Sequence, residues 1–346
     1  MLLSEFDFPF DPALVADHPV TPRHHARLLV VDRVSGMRTH RQVADLPVLL
    51  RQGDLVVVND TKVMPARVPA QVRSTGKPID LLFVQDLGQG LWEVLLKGRF
   101  RPGAMIAFPD GGCGEIVERS QAQTTLKVMG VASVYDLMQA AGTMPLPPYI
   151  KRPPTQDDRQ WYQTMFAQRE GAIAAPTAGL HFTGELVQAL AEKEIELARV
   201  TLHVGPGTFR SVKSEQVEDH RMSAERVEVS LHAVEQIRRA KERGNRVVAI
   251  GTTVVRALET AAREGAGIQP FQGAAELFIT PGFRFQVIDA LMTNFHLPRT
   301  TLLMLVSAFV GVAPLRAAYE EAVAERYRFY SYGDAMLIGT GWAGAT

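Results

Sequence analysis

Cysteine is almost missing: Cys113 is the only one in 346 residues, which excludes an internal disulfide and any cysteine-based zinc site. It sits in Gly111-Gly-Cys-Gly114, where a turn is expected rather than a nucleophile. Charge of one sign is missing too. Lys plus Arg and Asp plus Glu each number 37, so the chain as a whole neither attracts nor repels a polyanion, and affinity for nucleic acid has to come from a local patch. The longest apolar run, Leu302 to Ala313, is too short to span a bilayer and is interrupted by Ser307 and Gly311. Met1 to Phe8 lacks the basic flank and apolar stretch of a signal peptide, so a cytoplasmic protein with no membrane partner is expected. There is no HExxH, and the one adjacent histidine pair, His24-His25, lies in a Pro-flanked loop. No metal site is expected.

What is present suits a soluble globular protein with a full core. A chain of 346 residues that is 46% apolar and 21% charged exceeds the size at which one core stops growing, so two domains are expected. Arg27-Leu-Leu-Val-Val-Asp32 and Asp54-Leu-Val-Val-Val-Asn59 read as strands. Between residues 67 and 130 no helical period is visible. Short β-type runs at 79–84, 91–96, 104–108 and 123–128 alternate there with Gly-containing turns, the pattern of a small antiparallel barrel inserted into the main domain. After residue 130 the pattern becomes α/β. Ser133 caps a helix from Val134, Asp157 to Gln168 reads as another, and Gly184 to Glu194 leads into a strand from Ile195 to Val204. Leu231 to Arg243 is a helix followed by the strand Arg246 to Ile250. The expected architecture is an α/β main domain, discontinuous over 1–66 and 131–346, with a β-barrel domain at 67–130.

Three blocks place His, Thr, Asn and Asp beside Gly and Pro: Ala174 to Thr183, Val200 to Phe209, and Asp289 to Pro298. Small flexible residues beside ionisable ones suit backbone folded closely around a polar ligand. His181, His203 and His296 lie in these blocks, and with Glu225, Asp289 and Asn294 they are expected to share a cleft. Gly251-Thr-Thr253 follows a strand and opens a helix, pointing hydroxyls and free amides at a place suited to an anionic group or to plain capping. The Gly205-Pro-Gly207 turn lacks the G-x-G-x-x-G spacing of a dinucleotide loop and is either a strand-end turn or a ligand loop. Two acid-free basic runs, one from Lys62 through Arg67 and Arg73 to Lys77 and one of Lys97, Arg99 and Arg101, are either a solvated face or contacts to a structured RNA.

The chain resembles the S-adenosylmethionine:tRNA ribosyltransferase-isomerase family of queuosine biosynthesis. The likeness runs from Phe6-Asp-Phe through Asn59-Asp-Thr-Lys-Val-Met-Pro-Ala-Arg67, Leu146-Pro-Pro-Tyr-Ile150, Tyr162-Gln-Thr, the three blocks above and Ile250-Gly-Thr-Thr-Val-Val-Arg256 to Tyr327-Arg-Phe-Tyr-Ser-Tyr-Gly-Asp-Ala-Met336. It implies transfer of the ribosyl part of S-adenosylmethionine to 7-aminomethyl-7-deazaguanine at the wobble position of tRNA, with isomerisation to an epoxycyclopentane and release of adenine and methionine. S-adenosylmethionine is then a consumed co-substrate, and no cofactor is needed. A monomer is expected, with a dimer left open.

Proton transfer is assigned to His181 and His203, and charge stabilisation to Glu225 and Asp289. Asn294 and Thr177 are expected on adenine or ribose, and Arg256 on the methionine carboxylate. Asp60, Lys62, Arg67, Gly179, Gly205, Gly207, Thr252, Thr253 and His296 complete the expected substrate site, with Lys97, Arg99 and Arg101 on tRNA. The family pattern His-x-Met-His-x-Glu departs here to His220-Arg-Met-Ser223-Ala-Glu225, and a serine cannot act as a base near neutral pH. A tRNA methyltransferase using the same donor and a non-catalytic tRNA-binding protein are the alternatives. The missing dinucleotide fingerprint argues against the first.

Overall fold

The computed structural model describes residues 1–120, 123–205, 207, 212, 214–262 and 267–342. Pro206, Thr208 and Phe209 of the second polar block fall outside the described residues. The chain opens with β1 (Arg27–Asp32), β2 (Arg38–Gln42), a single-turn α1 (Leu46–Leu49), β3 (Leu55–Asn59) and a short β4 (Thr61–Val63). It then builds β5 (Arg67–Val72), β6 (Pro78–Gly88), β7 (Leu91–Leu96), β8 (Met105–Ala107), β9 (Cys113–Arg119) and β10 (Thr124–Met129). These six close into an antiparallel barrel in the order β10-β7-β6-β5-β8-β9. Alternation explains the closure. Ile79, Leu81 and Phe83 of β6 and Trp92 and Val94 of β7 fill the interior with Ile116 and Leu126, while the residues between them face outward. Helix α2 (Val134–Ala141), capped by the Ser133 hydroxyl on the Asp136 amide, plugs the barrel with Leu137 and Met138.

Beyond the barrel come α3 (Asp158–Trp161), β11 (Arg169–Ala172), α4 (Gly184–Glu192), β12 (Glu196–Leu202), β13 (Glu225–Val229), α5 (Leu231–Glu242) and β14 (Val247–Ile250). The chain continues with α6 (Thr252–Ala262), β15 (Phe271–Ala275), β16 (Ala290–Asn294), α7 (Thr301–Val310), α8 (Val312–Ala324) and β17 (Ala335–Gly339). A nine-stranded sheet forms in the order β15-β13-β12-β3-β14-β16-β17-β1-β2. Its central strands are apolar on both faces because helices cover both. Leu55 and Val57 of β3 face the core with α5 to α8, whereas Val56 and Val58 face the core with α1 and α4, and β1 and β14 divide in the same way.

An α/β sheet with a small antiparallel barrel was the expected fold, and two local expectations fail. The helix expected over Asp157–Gln168 ends after one turn. The Gln163 side chain brackets Val63 of β4, accepting its amide at 3.0 Å and donating to its carbonyl at 3.1 Å, and the amides of Gln168 and Arg169 then bond to the Asp60 carbonyl. Sheet-type pairing with β4 takes the place of helix continuation. Cys113 opens β9, and the turn expected at it lies just before, at Gly111. The apolar run near residue 302 is the buried α7, which breaks against α8 at Gly311 with a bend of 113°. Among the described residues no single helix is long and apolar enough to cross a membrane.

Candidate active site

Strands β12, β3, β14 and β16 are neighbours and mutually parallel. Their carboxyl ends therefore meet at one edge of the sheet, where open α/β folds hold their ligands. Strand β17 runs against β16 with Asn294 opposite Ala335, so the preceding turn, Tyr330 to Asp334, reaches the same edge. A cleft, partly open to solvent, lies there. Its walls come from Ala175 to Ala178, Val204, Gly251 to Thr253, Thr293 to Leu297, Thr300, Leu302, Tyr149, Tyr330 and Ser331.

Asn294 is the best-anchored polar side chain in it. Its Nδ2 donates to the Tyr330 carbonyl at 3.0 Å and lies 3.2 Å from His181 Nε2, while its Oδ1 accepts from the Thr177 hydroxyl at 3.0 Å. His181 stands behind Asn294, buried at the end of a 3-10 turn over Thr177–His181, and is absent from the cleft wall. Burial, with help from Arg23 and Arg328, lowers its pKa to about 3. It is a neutral ring that positions Asn294. His296 does line the cleft, with Nε2 at 2.9 Å from the Thr293 hydroxyl, and burial holds its pKa at about 3. A tilted pair of rings, Tyr149 and Tyr330 with centroids 4.6 Å apart, forms an aromatic wall. Tyr330 adopts φ +71°, a costly conformation for a bulky residue, and its buried hydroxyl has no hydrogen-bond partner among the described residues. Thr253, in the first turn of α6, has a buried hydroxyl that is likewise without a partner.

Several expected site residues lie elsewhere. Side chains alternate along an extended chain, so while Val204 enters the cleft His203 turns the other way. Its Nδ1 lies 2.8 Å from the Thr61 hydroxyl, and burial together with Arg226 and Arg169 lowers its pKa to about 4. Glu225 and Arg256 are ion-paired with each other in the interior. Glu225 also accepts from the Gly205 amide at 2.8 Å, and Arg256 also donates to the carbonyls of Ala275 and Leu277. The guanidinium expected on a methionine carboxylate is thus already occupied. Asp289 is the clearest correction. It precedes β16, five residues or roughly 17 Å of strand from Asn294, and there it binds Lys241 at 2.8 Å and the Val247 amide at 2.8 Å.

The remaining expected residues are spread around the cleft. Gly179 packs on Thr164, away from the opening, and Gly207 lies close to Ser223, which is exposed. Asp60 accepts from the Thr201 hydroxyl at 2.7 Å in a separate depression, where burial raises its pKa. Lys62 pairs with Glu170 at 2.9 Å, and Arg67 pairs with Asp80. Lys97, Arg99 and Arg101 are exposed on the barrel loop after β7. Arg67 and Lys97 line a second groove, between the barrel and the main sheet, with Pro145 to Pro148, Ala174 and Gly205. At three places neighbouring residues line different hollows: Pro148 the groove and Tyr149 the cleft, Ala174 the groove and Ala175 the cleft, Gly205 the groove and Val204 the cleft. Among the described residues no cluster of His, Cys, Asp and Glu could hold a metal ion.

Tyr149, Tyr330, Ser331 and Thr293 were not expected as site residues. Their signal in the sequence is position, an aromatic after Pro-Pro and a hydroxyl-rich turn ahead of a strand, and it needs the fold to be interpreted.

The whole chain has relatives. The family model described as queuosine biosynthesis protein matches residues 3–338. A protein of Acidithiobacillus ferrooxidans named S-adenosylmethionine:tRNA ribosyltransferase-isomerase is 48% identical over 336 residues, covering 96% of this chain and 97% of that one. One of the same name from Acidiphilium cryptum is 48% identical, covering 98% and 99%. The crystal structure of S-adenosylmethionine tRNA ribosyltransferase from Thermotoga maritima is similar at 37% identity with a TM-score of 0.57, over 97% of this chain and 100% of that one. By the match of the family model and of both near relatives over almost its full length, the chain belongs to the queuosine biosynthesis protein family.

Proposed function

We propose that the chain transfers the ribosyl part of S-adenosylmethionine to 7-aminomethyl-7-deazaguanine at the wobble position of tRNA and isomerises it, giving epoxyqueuosine, adenine and methionine. The observation that carries this is the cleft at the carboxyl ends of β12, β3, β14 and β16, lined by the same blocks that carry the family likeness. Relatives with 48% identity bear the name of that activity. The donor occupies the cleft and the acceptor nucleotide the adjoining groove. Tyr149 and Tyr330 give adenine an apolar aromatic wall, and Asn294 and Thr177 give fixed hydrogen bonds.

Protons have to be handled without a histidinium. Burial keeps His181, His203 and His296 neutral at pH 7, with pKa values of about 3, 4 and 3. Departing adenine therefore takes its hydrogen bond from a neutral donor, and the Tyr330 phenol, kept protonated by burial and lacking a partner, is placed for it. The sulfonium of the donor is the electron sink, so no metal or flavin is needed. Lys97, Arg99 and Arg101, on the barrel rim beside the groove, suit phosphates of the anticodon arm. Cleft and groove are built by one chain, so a monomer suffices.

The test supplies donor labelled separately in the ribose and methyl carbons together with tRNA carrying the aminomethyl base. Ribose label is expected in the RNA, with adenine and methionine released in equal amounts. Methyl label in the RNA would show a methyltransferase instead, and tRNA binding without any transfer would show a binding protein.

A further inference from the structure

We infer that the amino end of α6, with the Thr253 hydroxyl, holds the carboxylate of the donor's methionyl part and so fixes which way round the donor lies. This rests on the cleft being the donor site. Helix α6 is 11 residues long and begins directly after β14 through Gly251, whose φ is +97°. Gly251 has no side chain to cap the helix. Its carbonyl accepts from Val254 and Val255, while the amides of Thr252 and Thr253 have no acceptor within the helix. Both residues line the cleft. The second observation is Thr253 itself, 8% exposed, with its hydroxyl unpartnered among the described residues. That oxygen lies 3.6 Å from where a Cβ on Gly251 would stand, so it turns back over the open helix end. A buried hydroxyl without a partner costs free energy unless a ligand supplies one.

The charge balance points to an anion. Among the described residues no Lys or Arg lines the cleft, Arg256 is held by Glu225, and the positive end of the helix dipole is a local source of positive potential. S-adenosylmethionine carries a single anionic group, its carboxylate. Placing it here puts the adenine toward Tyr149 and Tyr330 and leaves the sulfonium and ribose between the two ends. A phosphate of the acceptor nucleotide is the other possible source of the same chemistry. It is less suited, because the groove beside the cleft offers phosphates the exposed cation of Lys97.

The experiment measures equilibrium binding of S-adenosylmethionine and of its decarboxylated form to the wild-type protein, Thr253→Val and Thr253→Ser. Wild type is expected to prefer the carboxylated donor by about tenfold or more, the size of one charge-assisted hydrogen bond near a helix end. Thr253→Val should lose about tenfold for that donor and nothing for the decarboxylated one, and Thr253→Ser should restore the preference. Because an unpartnered hydroxyl is replaced by a methyl of the same shape, Thr253→Val should melt at or above the wild-type temperature. Equal binding of both donors by the wild type, or equal weakening of both by Thr253→Val, overturns the inference while leaving the donor site standing. A loss of tRNA affinity with donor affinity unchanged also overturns it and assigns the helix end to a phosphate. Failure of the wild type to bind either donor overturns the donor site as well.

Discussion

The two ends of the same four strands are built in opposite ways. At the amino ends the charged groups are paired: Asp54 with Arg246 before β3 and β14, Asp289 with Lys241 before β16, Glu196 with Arg243 at β12. At the carboxyl ends the groups lining the cleft are mostly neutral, and two buried hydroxyls, on Thr253 and Tyr330, have no partner among the described residues. Tyr330 there adopts a positive φ of +71°. Saturated ion pairs hold the sheet together, whereas unfilled hydrogen bonds and strained backbone are stability given up for a ligand. The difference separates residues of the same chemical type into structural and functional sets, which their side chains alone do not.

The strongest way to break this contrast is at the amino end. Asp54 is 1% exposed and Arg246 is 8% exposed, with Arg246 Nε 3.2 Å from both Asp54 oxygens. Asp54→Ala leaves a buried guanidinium unpaired and should cost about 3–5 kcal/mol in urea unfolding. Donor affinity of the protein that remains folded should stay within about twofold. A loss of donor binding without a loss of stability would mean that the amino end is not purely structural.

The carboxyl end should be sensitive to acid. His181 and His296 have folded pKa values of about 3, below the ordinary imidazole value of 6.5. Between those values the unfolded chain binds more protons than the folded one, so their contribution is complete above pH 6.5 and is lost as pH falls toward 3. Each fully buried ring adds about 1.4 kcal/mol per pH unit to the slope in that window. Stability measured from pH 7 to pH 4 should fall accordingly, and His181→Gln should reduce the slope by the share of one ring. An unchanged slope in that variant would mean His181 titrates alike in the folded and the unfolded chain, which would return it to the proton-transfer role.

The smallest effect is expected at Asp289. Its pair with Lys241 is about one-third exposed on both sides, so Asp289→Asn should cost less than about 1 kcal/mol and leave kcat/KM within about twofold. A drop in rate of a hundredfold would place a catalytic carboxylate where the structure shows only a strand cap.

Much of the frame was legible because it rests on period and turn chemistry. The apolar runs of β1, β3 and β14, the alternation within the barrel and the strand-to-helix turn at Gly251 all follow from residue type and spacing. The polar blocks marked the sheet edge where the cleft lies. What stayed hidden was which end and which face each side chain takes. The block from Asp289 to Pro298 spans a whole strand, so its first residue and Asn294 fall at opposite ends of the sheet. His203 and Val204 are adjacent, yet only Val204 lines the cleft. Arg256, on α6, looks available until Glu225, on β13, is seen to pair with it. Tyr149 and Tyr330 come from segments 181 residues apart, joined only by the fold.

The most direct test of the donor site is photocrosslinking with an azidoadenine analogue of S-adenosylmethionine, followed by peptide mapping with and without excess unlabelled donor. Protectable label is predicted in the peptides that carry Tyr149 and Tyr330. Protectable label in the barrel between Arg67 and Met129, or around Asp289 at the amino ends of the strands, would contradict it.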